Sequence, residues 1–259
     1  MGSAANACRH PIQGKPVLRF PELDSTNAKA IELALQGAEE GTVVRADKQS
    51  AGRGRRNRVW ESPAGGGLWF TLILRPQRES QVVAQVTLLA AVAVVETLKQ
   101  AYGIDAHIKW PNDILVSDRK ICGILSEMLL NDVGVEYVVI GIGLNVNFSE
   151  ADLRDDLKQT ATSLCRELGH AADPDRVLTL FLEIFEKWYN RWHQEGFENI
   201  RTNWLNHNCT IGRRVLVKDD DVVIFEGIAT DINDYGSIQV VGQDGAVREF
   251  EFGEISIRF

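Results

Sequence analysis

The chain has 259 residues, enough for one large domain or a main domain with a small appendage. A net charge of -8, with 25% charged and 44% hydrophobic residues, fits a soluble globular protein and argues against a generally basic surface for nucleic acid or anionic lipid. Residues 1–16 lack the apolar core of a signal peptide. The longest strongly apolar stretch, Leu88 to Val95, is far short of the roughly 20 residues of a membrane span, so a cytoplasmic protein with no membrane partner is expected.

Residues 1–17 read as an N-terminal extension, and Leu18 to Leu23 is a short apolar start. Asp24-Ser25-Thr26-Asn27 supplies N-cap residues for a helix with Ile31, Leu33, Ala34 and Leu35 on its apolar face and Gly37 as its stop. Thr42 to Ala46 is a strand that enters a loop, 50–67, without apolar periodicity. Residues 68–76, LWFTLILRP, read as a buried strand by their aromatic and β-branched content. Gln81 to Tyr102 is apolar nearly all round and predicts a buried helix closed by Gly103. Ala106 to Trp110 with Ile114 to Val116, then Ile121 to Leu129, then Val135 to Asn145, predict an antiparallel meander. Its turns fall at Ser117-Asp118-Arg119 and Asn131-Asp132-Val133-Gly134.

Asp173-Pro174 opens a second helix, on which Val177, Leu180, Phe181, Ile184, Trp188 and Trp192 recur at three- and four-residue spacing until Gly196. From Thr210, short β runs are broken by Asp and Gly turns, Asp219-Asp220-Asp221 among them. The expected fold is α+β. A mixed, largely antiparallel sheet backed by helices occupies 18–208, and a small C-terminal β-barrel domain occupies 209–259.

Four arginines, Arg53, Arg55, Arg56 and Arg58, fall within six residues beside Gly52 and Gly54. Like charges at that density repel unless an anion neutralises them. Glycines let backbone N–H groups approach such an anion, and Arg forks match phosphate oxygens. Taken alone, the run equally fits a solvated basic loop or a nucleic-acid patch.

In Lys109-Trp110-Pro111-Asn112-Asp113, a strand ends at Pro111 with Asn112 and Asp113 at its mouth. An Asx turn explains a lone Asn-Asp pair, but less well with Lys109 and Lys120 flanking the hairpin. Lys120, just ahead of an apolar strand, is either an ordinary hairpin charge or a cation placed to meet charge on a transferring phosphoryl group. Gly141 and Gly143 point to close approach of a ligand or backbone, or to a bulge. A third glycine and a following helix are missing for a dinucleotide fingerprint. The four cysteines form no Cys-x-x-Cys pair and the five histidines sit in unrelated contexts, which leaves no zinc site and no nucleophilic triad in view.

Asp24-Ser25-Thr26-Asn27, GRGRRNRVW at 52–60, KWPNDILV at 109–116, RKICGIL at 119–125 and GIGLNVN at 141–147 occur in the order and spacing of the biotin protein ligases. The chain resembles that family over residues 18–259. The resemblance implies a class II synthetase-like catalytic fold. It also implies that Ser25, Thr26 and Gln49 hold biotin's ureido and ring region, with Asn27 among the biotin positions; a neutral urea wants both donors and acceptors. Gly52, Arg53, Gly54 and Arg55 match the loop that closes over biotin and its adenylate. Lys120 matches the contact to the biotin carboxylate and α-phosphate, and with Arg53 and Arg55 makes up the catalytic set. Asn112, Asn145, Arg58 and Trp60 match the nucleotide neighbourhood, which Arg55 and Lys120 share. Gly123 matches a biotin position and Asp113 a further lining position.

The implied substrates are biotin and ATP, with Mg2+ whose ligands the motifs do not specify. The implied acceptor is a biotin carboxyl carrier domain of a carboxylase, and a homodimer by sheet extension is a family expectation. The residues ahead of Ser25 are too few for the DNA-binding domain of some relatives, so no repressor activity is expected. Asn57 departs from the Gly of many relatives, and Cys122 fills a small-residue slot as a buried thiol. The competing readings are a lipoate- or octanoyl-transferring enzyme of the same broad fold, a nucleic-acid-binding module and an inactive scaffold.

Overall fold

The computed structural model describes residues 8–9, 14–76, 82–132, 134–149, 152, 155, 157–220, 222–251 and 256–258. The main sheet has eight strands: β1 (Cys8–Arg9), β2 (Pro16–Phe20), β3 (Val43–Ala46), β4 (Gly67–Leu74), β5 (His107–Lys109), β6 (Asp113–Val116), β7 (Arg119–Asn131) and β8 (Gly134–Asn145). Their order is β1-β2-β3-β4-β8-β7-β6-β5. β2 and β3 pair in parallel; the other described pairings are antiparallel, so the sheet is mixed as expected. β4 lies at the centre because nearly every residue in it is apolar and both faces are covered. It runs against β8 from Gly67↔Asn145 to Leu74↔Val138, which carries the Gly141–Asn145 motif alongside Thr71 and Trp69.

One face carries α2 (Val82–Tyr102), whose residues from Val86 to Val95 are almost all buried, and against it α4 (Pro174–Glu195). Asp173 caps α4 and Pro174 opens it, as the sequence predicts, and Phe181 meets Phe70 of β4 edge-on at 5.2 Å. Each such side chain taken from water contributes about 1.5–3 kcal/mol. The opposite face carries α1 (Thr26–Leu35), where Ala30 and Ala34 pack on Val44, Ile73 and Val139. Two further helices, α3 (Leu164–Leu168) and α5 (Glu198–His207), have no counterpart in the sequence reading. α5 is polar except for a narrow face with Ile200 and Trp204, too thin to register as a periodic stripe. Gln81, Val133 and Asp221, assigned to a helix start and two turns from sequence, lie outside the described residues.

The C-terminal strands β9 (Arg214–Asp219), β10 (Val222–Ile232), β11 (Ile238–Val241), β12 (Val247–Phe250) and β13 (Ser256–Arg258) form a separate antiparallel sheet ordered β12-β11-β10-β9-β13. No β12–β13 pairing closes it into a barrel among the described residues. It docks firmly on the main sheet and its helices. The Trp110 backbone N–H donates to Thr210 Oγ1 at 2.9 Å, its indole donates to Gly236 O at 3.0 Å, and Arg201 Nε donates to Ile232 O at 2.8 Å. Val215, Val217, Ile238 and Ile257 are buried in the same core cluster as α2 and α4. Among the described residues, no helix is long and apolar enough to cross a membrane.

Candidate active site

A cavity of about 990 Å3 opens between the N-terminus of α1, the arginine loop, the β5–β6 hairpin and the middle of β7 and β8. One end is neutral. Ser25, in extended backbone, caps α1 by accepting from the Ala28 N–H at 3.4 Å. Thr26 and Asn27 therefore start the helix with their side chains turned inward and buried. The Thr26 N–H donates to Gln49 Oε1 at 2.8 Å, and the Thr26 hydroxyl lies 3.1 Å from the same oxygen. Gln49 in turn donates to Ser62 Oγ at 2.7 Å. Thr71, wholly buried on β4, sits 2.8 Å from Thr26 Oγ1 and 2.7 Å from Asn27 Oδ1. Asn27 Nδ2 donates to Glu127 Oε2 at 2.7 Å and Leu125 O at 3.1 Å. A Cβ at Gly141 would collide with the Asn27 amide.

The other end is cationic. Arg53 is exposed and stands between the two ends, reaching at 3.2 Å the same Glu127 oxygen that binds Asn27; Arg55 donates to Asn112 Oδ1 at 3.3 Å. Asn112 is held from behind by its donation to Ile124 O at 2.7 Å. Burial pushes the Arg55 guanidinium down to about 10; Asp113 acts against that, while Arg56 and Arg58 add repulsion. Lys120 is fixed by its backbone, which donates to Thr160 O at 2.8 Å and accepts from the Thr162 N–H at 2.9 Å. Its ammonium pairs with Asp113 at 2.5 Å and stands 5.0 Å from the Trp60 ring centroid. Asn145 donates to Thr162 O at 2.9 Å.

Gly123 and Gly143 are paired across β7 and β8 and leave room for Trp60. A Cβ at Gly143 would strike the indole, and one at Gly123 would come within 3.0 Å of Trp60 Cζ3 and 3.2 Å of Lys120 Nζ. The close approach expected at Gly141 and Gly143 is thus made by the protein's own Asn27 and Trp60. Cys122 is wholly buried as expected, and burial raises its thiol well above its ordinary range.

Ser25, Thr26, Asn27, Gln49, Arg53, Gly54, Arg55, Arg58, Trp60, Asn112, Asp113, Lys120, Gly123 and Asn145, named from sequence, all line this cavity. Gly52 is buried behind the lining, where a Cβ would collide with the Trp60 carbonyl oxygen. Sequence reasoning missed Thr71 and Glu127, which bind the lining residues from behind. A lone hydroxyl in a fully buried strand must find a partner, and that was the available signal for Thr71. Among the described residues, no three His, Cys, Asp or Glu side chains group as a metal site. Of the carboxylates that line the cavity, Glu61, Asp113 and Asp118, Asp113 is already engaged by Lys120. That donor set suits Mg2+ carried mainly by substrate phosphates, since this ion commonly takes one or two carboxylates with phosphate oxygens and water.

Residues 20–145 match the Biotin/lipoate A/B protein ligase family, and residues 210–258 match the Biotin protein ligase C terminal domain. The chain is 43% identical over 234 residues to the bifunctional ligase/repressor BirA of Bacillus subtilis, covering 90% of this chain and 72% of that protein. It is 37% identical over 228 residues to the biotin--[acetyl-CoA-carboxylase] ligase of Paracoccus denitrificans, covering 86% and 92% of the two chains. The biotin protein ligase from Aquifex aeolicus, solved in complex with biotin and ATP, superposes with a TM-score of 0.81. It is 27% identical, with 93% of this chain and 98% of that one covered.

Proposed function

The chain belongs to the biotin protein ligases, and from that premise we propose that it makes biotinyl-5'-AMP from biotin and ATP and passes the biotinyl group to one lysine of a biotin carboxyl carrier domain. The observation that carries the proposal is the two-ended cavity, neutral and hydrogen-bonded at Thr26, Gln49 and Asn27, cationic at Arg55 and Lys120. A fused urea fits the first end, and a carboxylate meeting a phosphate fits the second.

In the proposed first step, a biotin carboxylate oxygen attacks the α-phosphorus of MgATP. The bond to the bridging oxygen breaks and pyrophosphate leaves. In the second, the neutral amine of the acceptor lysine attacks the acyl carbon. AMP departs with the bonding electron pair and the amine loses a proton. Ser25, Thr26, Asn27 and Gln49 orient the ring. Lys120, Arg53 and Arg55 neutralise charge that grows between carboxylate and phosphate. Asn112, Asn145, Arg58 and Trp60 hold the nucleotide, with Asp113 setting Lys120 and Gly123 keeping space beside it. Gly52 and Gly54 let the loop cover the mixed anhydride against water. Mg2+, when bound with ATP, supplies further neutralisation of the leaving pyrophosphate.

The same proposal includes a catalytic unit over 18–208 with a C-terminal unit over 209–259, a cytoplasmic location and a homodimer read by sedimentation with and without biotin and MgATP. No DNA-directed role is proposed, given the net charge of -8. The test is incubation with biotin, MgATP and an isolated carrier domain, read by intact mass and peptide mapping. One biotinyl adduct on one lysine is expected; an unmodified carrier, or modification with lipoate instead, contradicts the proposal.

A further inference from the structure

Arg53 and Arg55 bond back to the main sheet, but Arg56 turns to the C-terminal sheet. Its guanidinium bonds to Asp219, pairs with Asp220 at 2.9 Å and donates to Lys218 O at 3.3 Å. Three acceptors occupy most of a guanidinium fork. The Arg56 side chain is only 16% exposed, although Asp219 and Asp220 stand at 63% and 83%.

The backbone is shaped for this contact. Arg56 lies in the left-handed region at φ 57 and ψ 42, which a side-chain-bearing residue seldom occupies. It is the apex of a turn in which the Gly54 N–H donates to Arg58 O at 2.7 Å and the Arg58 N–H donates to Arg55 O at 3.3 Å. Asp220, in the β9–β10 turn, is also left-handed, at φ 47. Two tight turns from different sheets therefore meet through one guanidinium.

We propose that Arg56, Asp219 and Asp220 are positioning residues: the β9–β10 turn clasps the arginine loop over the cavity, so the C-terminal sheet sets how long the activated intermediate stays bound. This rests on the ligase reading above. The charges lie near solvent, so the clasp is individually weak and salt-sensitive. Weakness suits it, because the loop must release for substrate entry and acceptor access.

The test compares the Asp219→Asn/Asp220→Asn variant with wild type in two ways. Without ligands, trypsin cleavage after arginines 53–58 reports loop opening; the variant is expected to be cut about three- to tenfold faster, the range for losing exposed charge pairs. Wild type should approach the variant's rate as salt is raised. With ligands, bound biotinyl-AMP should dissociate faster by a similar factor, while its rate of formation stays within about twofold. Arg56→Asp should also open the loop, and adding Asp219→Arg should restore protection, a rescue that general destabilisation would not give. Unchanged trypsin cleavage together with unchanged intermediate lifetime overturns the clasp. If cleavage responds but wild type forms no biotin-dependent adenylate, the clasp stands and the ligase reading falls.

Discussion

Around Thr71 the cavity wall is neutral, buried and bonded to itself; around Arg55 it is cationic, partly solvated and crowded with like charge. Thr26, Asn27, Gln49 and Thr71 each have a protein partner, so this end is preformed before any ligand arrives. The arginine loop is held differently: Arg53, Arg55 and Arg56 have protein partners, yet they remain a run of like charge. Arg55 keeps its charge against burial and the repulsion of two neighbours. Under the proposed function, the rigid end would recognise the uncharged part of the substrate and the cationic end its anionic part.

Breaking the cationic end at its centre gives the largest expected effect. Lys120→Ala should lower biotin-dependent pyrophosphate release by about 100- to 1,000-fold, the range for removing a fixed transition-state charge contact. Its melting curve should stay near wild type, because the Lys120 backbone bonds remain. An unchanged rate would remove Lys120 from the chemistry.

Thr71→Val attacks the neutral end without touching the cavity lining. It leaves Asn27 Oδ1 and the Thr26 hydroxyl short of a buried partner, a cost of about 1–3 kcal/mol. The biotin KM should rise about five- to 100-fold on that cost, with the ATP KM nearly unchanged. Equal effects on both substrates would deny that the two ends act separately.

Arg53→Gly should shorten the lifetime of bound adenylate by tenfold or less, since the Arg53–Glu127 pair is exposed and worth about 1 kcal/mol at most. A lifetime equal to wild type would show that Arg53 does not cover the intermediate.

Arg55→Met sharpens the comparison through stability. A depressed guanidinium pKa means the fold disfavours the charged form. The cost is present in full below about pH 10 and is relieved only as pH rises above that. The variant removes that cost but also the bond to Asn112 and the attraction to Asp113, so its ligand-free stability at pH 7–8 should stay within about 1 kcal/mol of wild type while adenylate formation is lost. Denaturant unfolding reads this directly; a loss well beyond that would mean that the partners of Arg55 outweigh the cost of its burial.

Local signals were the legible ones. Ser25 as a cap, Asp173-Pro174 as a helix start and the Ser117-Asp118 turn follow from side chains acting on their own backbone. The cavity lining was legible through motifs that the chain shares with its family. What stayed hidden were long-range partners. Nothing near Gly141 or Gly143 says that Asn27 and Trp60 fill the space they leave. Glu127 sits among apolar strand residues and looks like an ordinary surface carboxylate until the fold brings Asn27 and Arg53 to it. Arg56 looked like one more cation of the run, because its partners lie more than 160 residues away.

The most direct measurement is pyrophosphate release from MgATP with biotin, run beside lipoate and octanoate. Release with biotin alone is the predicted result, since under the proposed function the neutral network would select a ring urea while the cationic end would need only a carboxylate. Release with lipoate or octanoate, or with none of the three, would contradict the account.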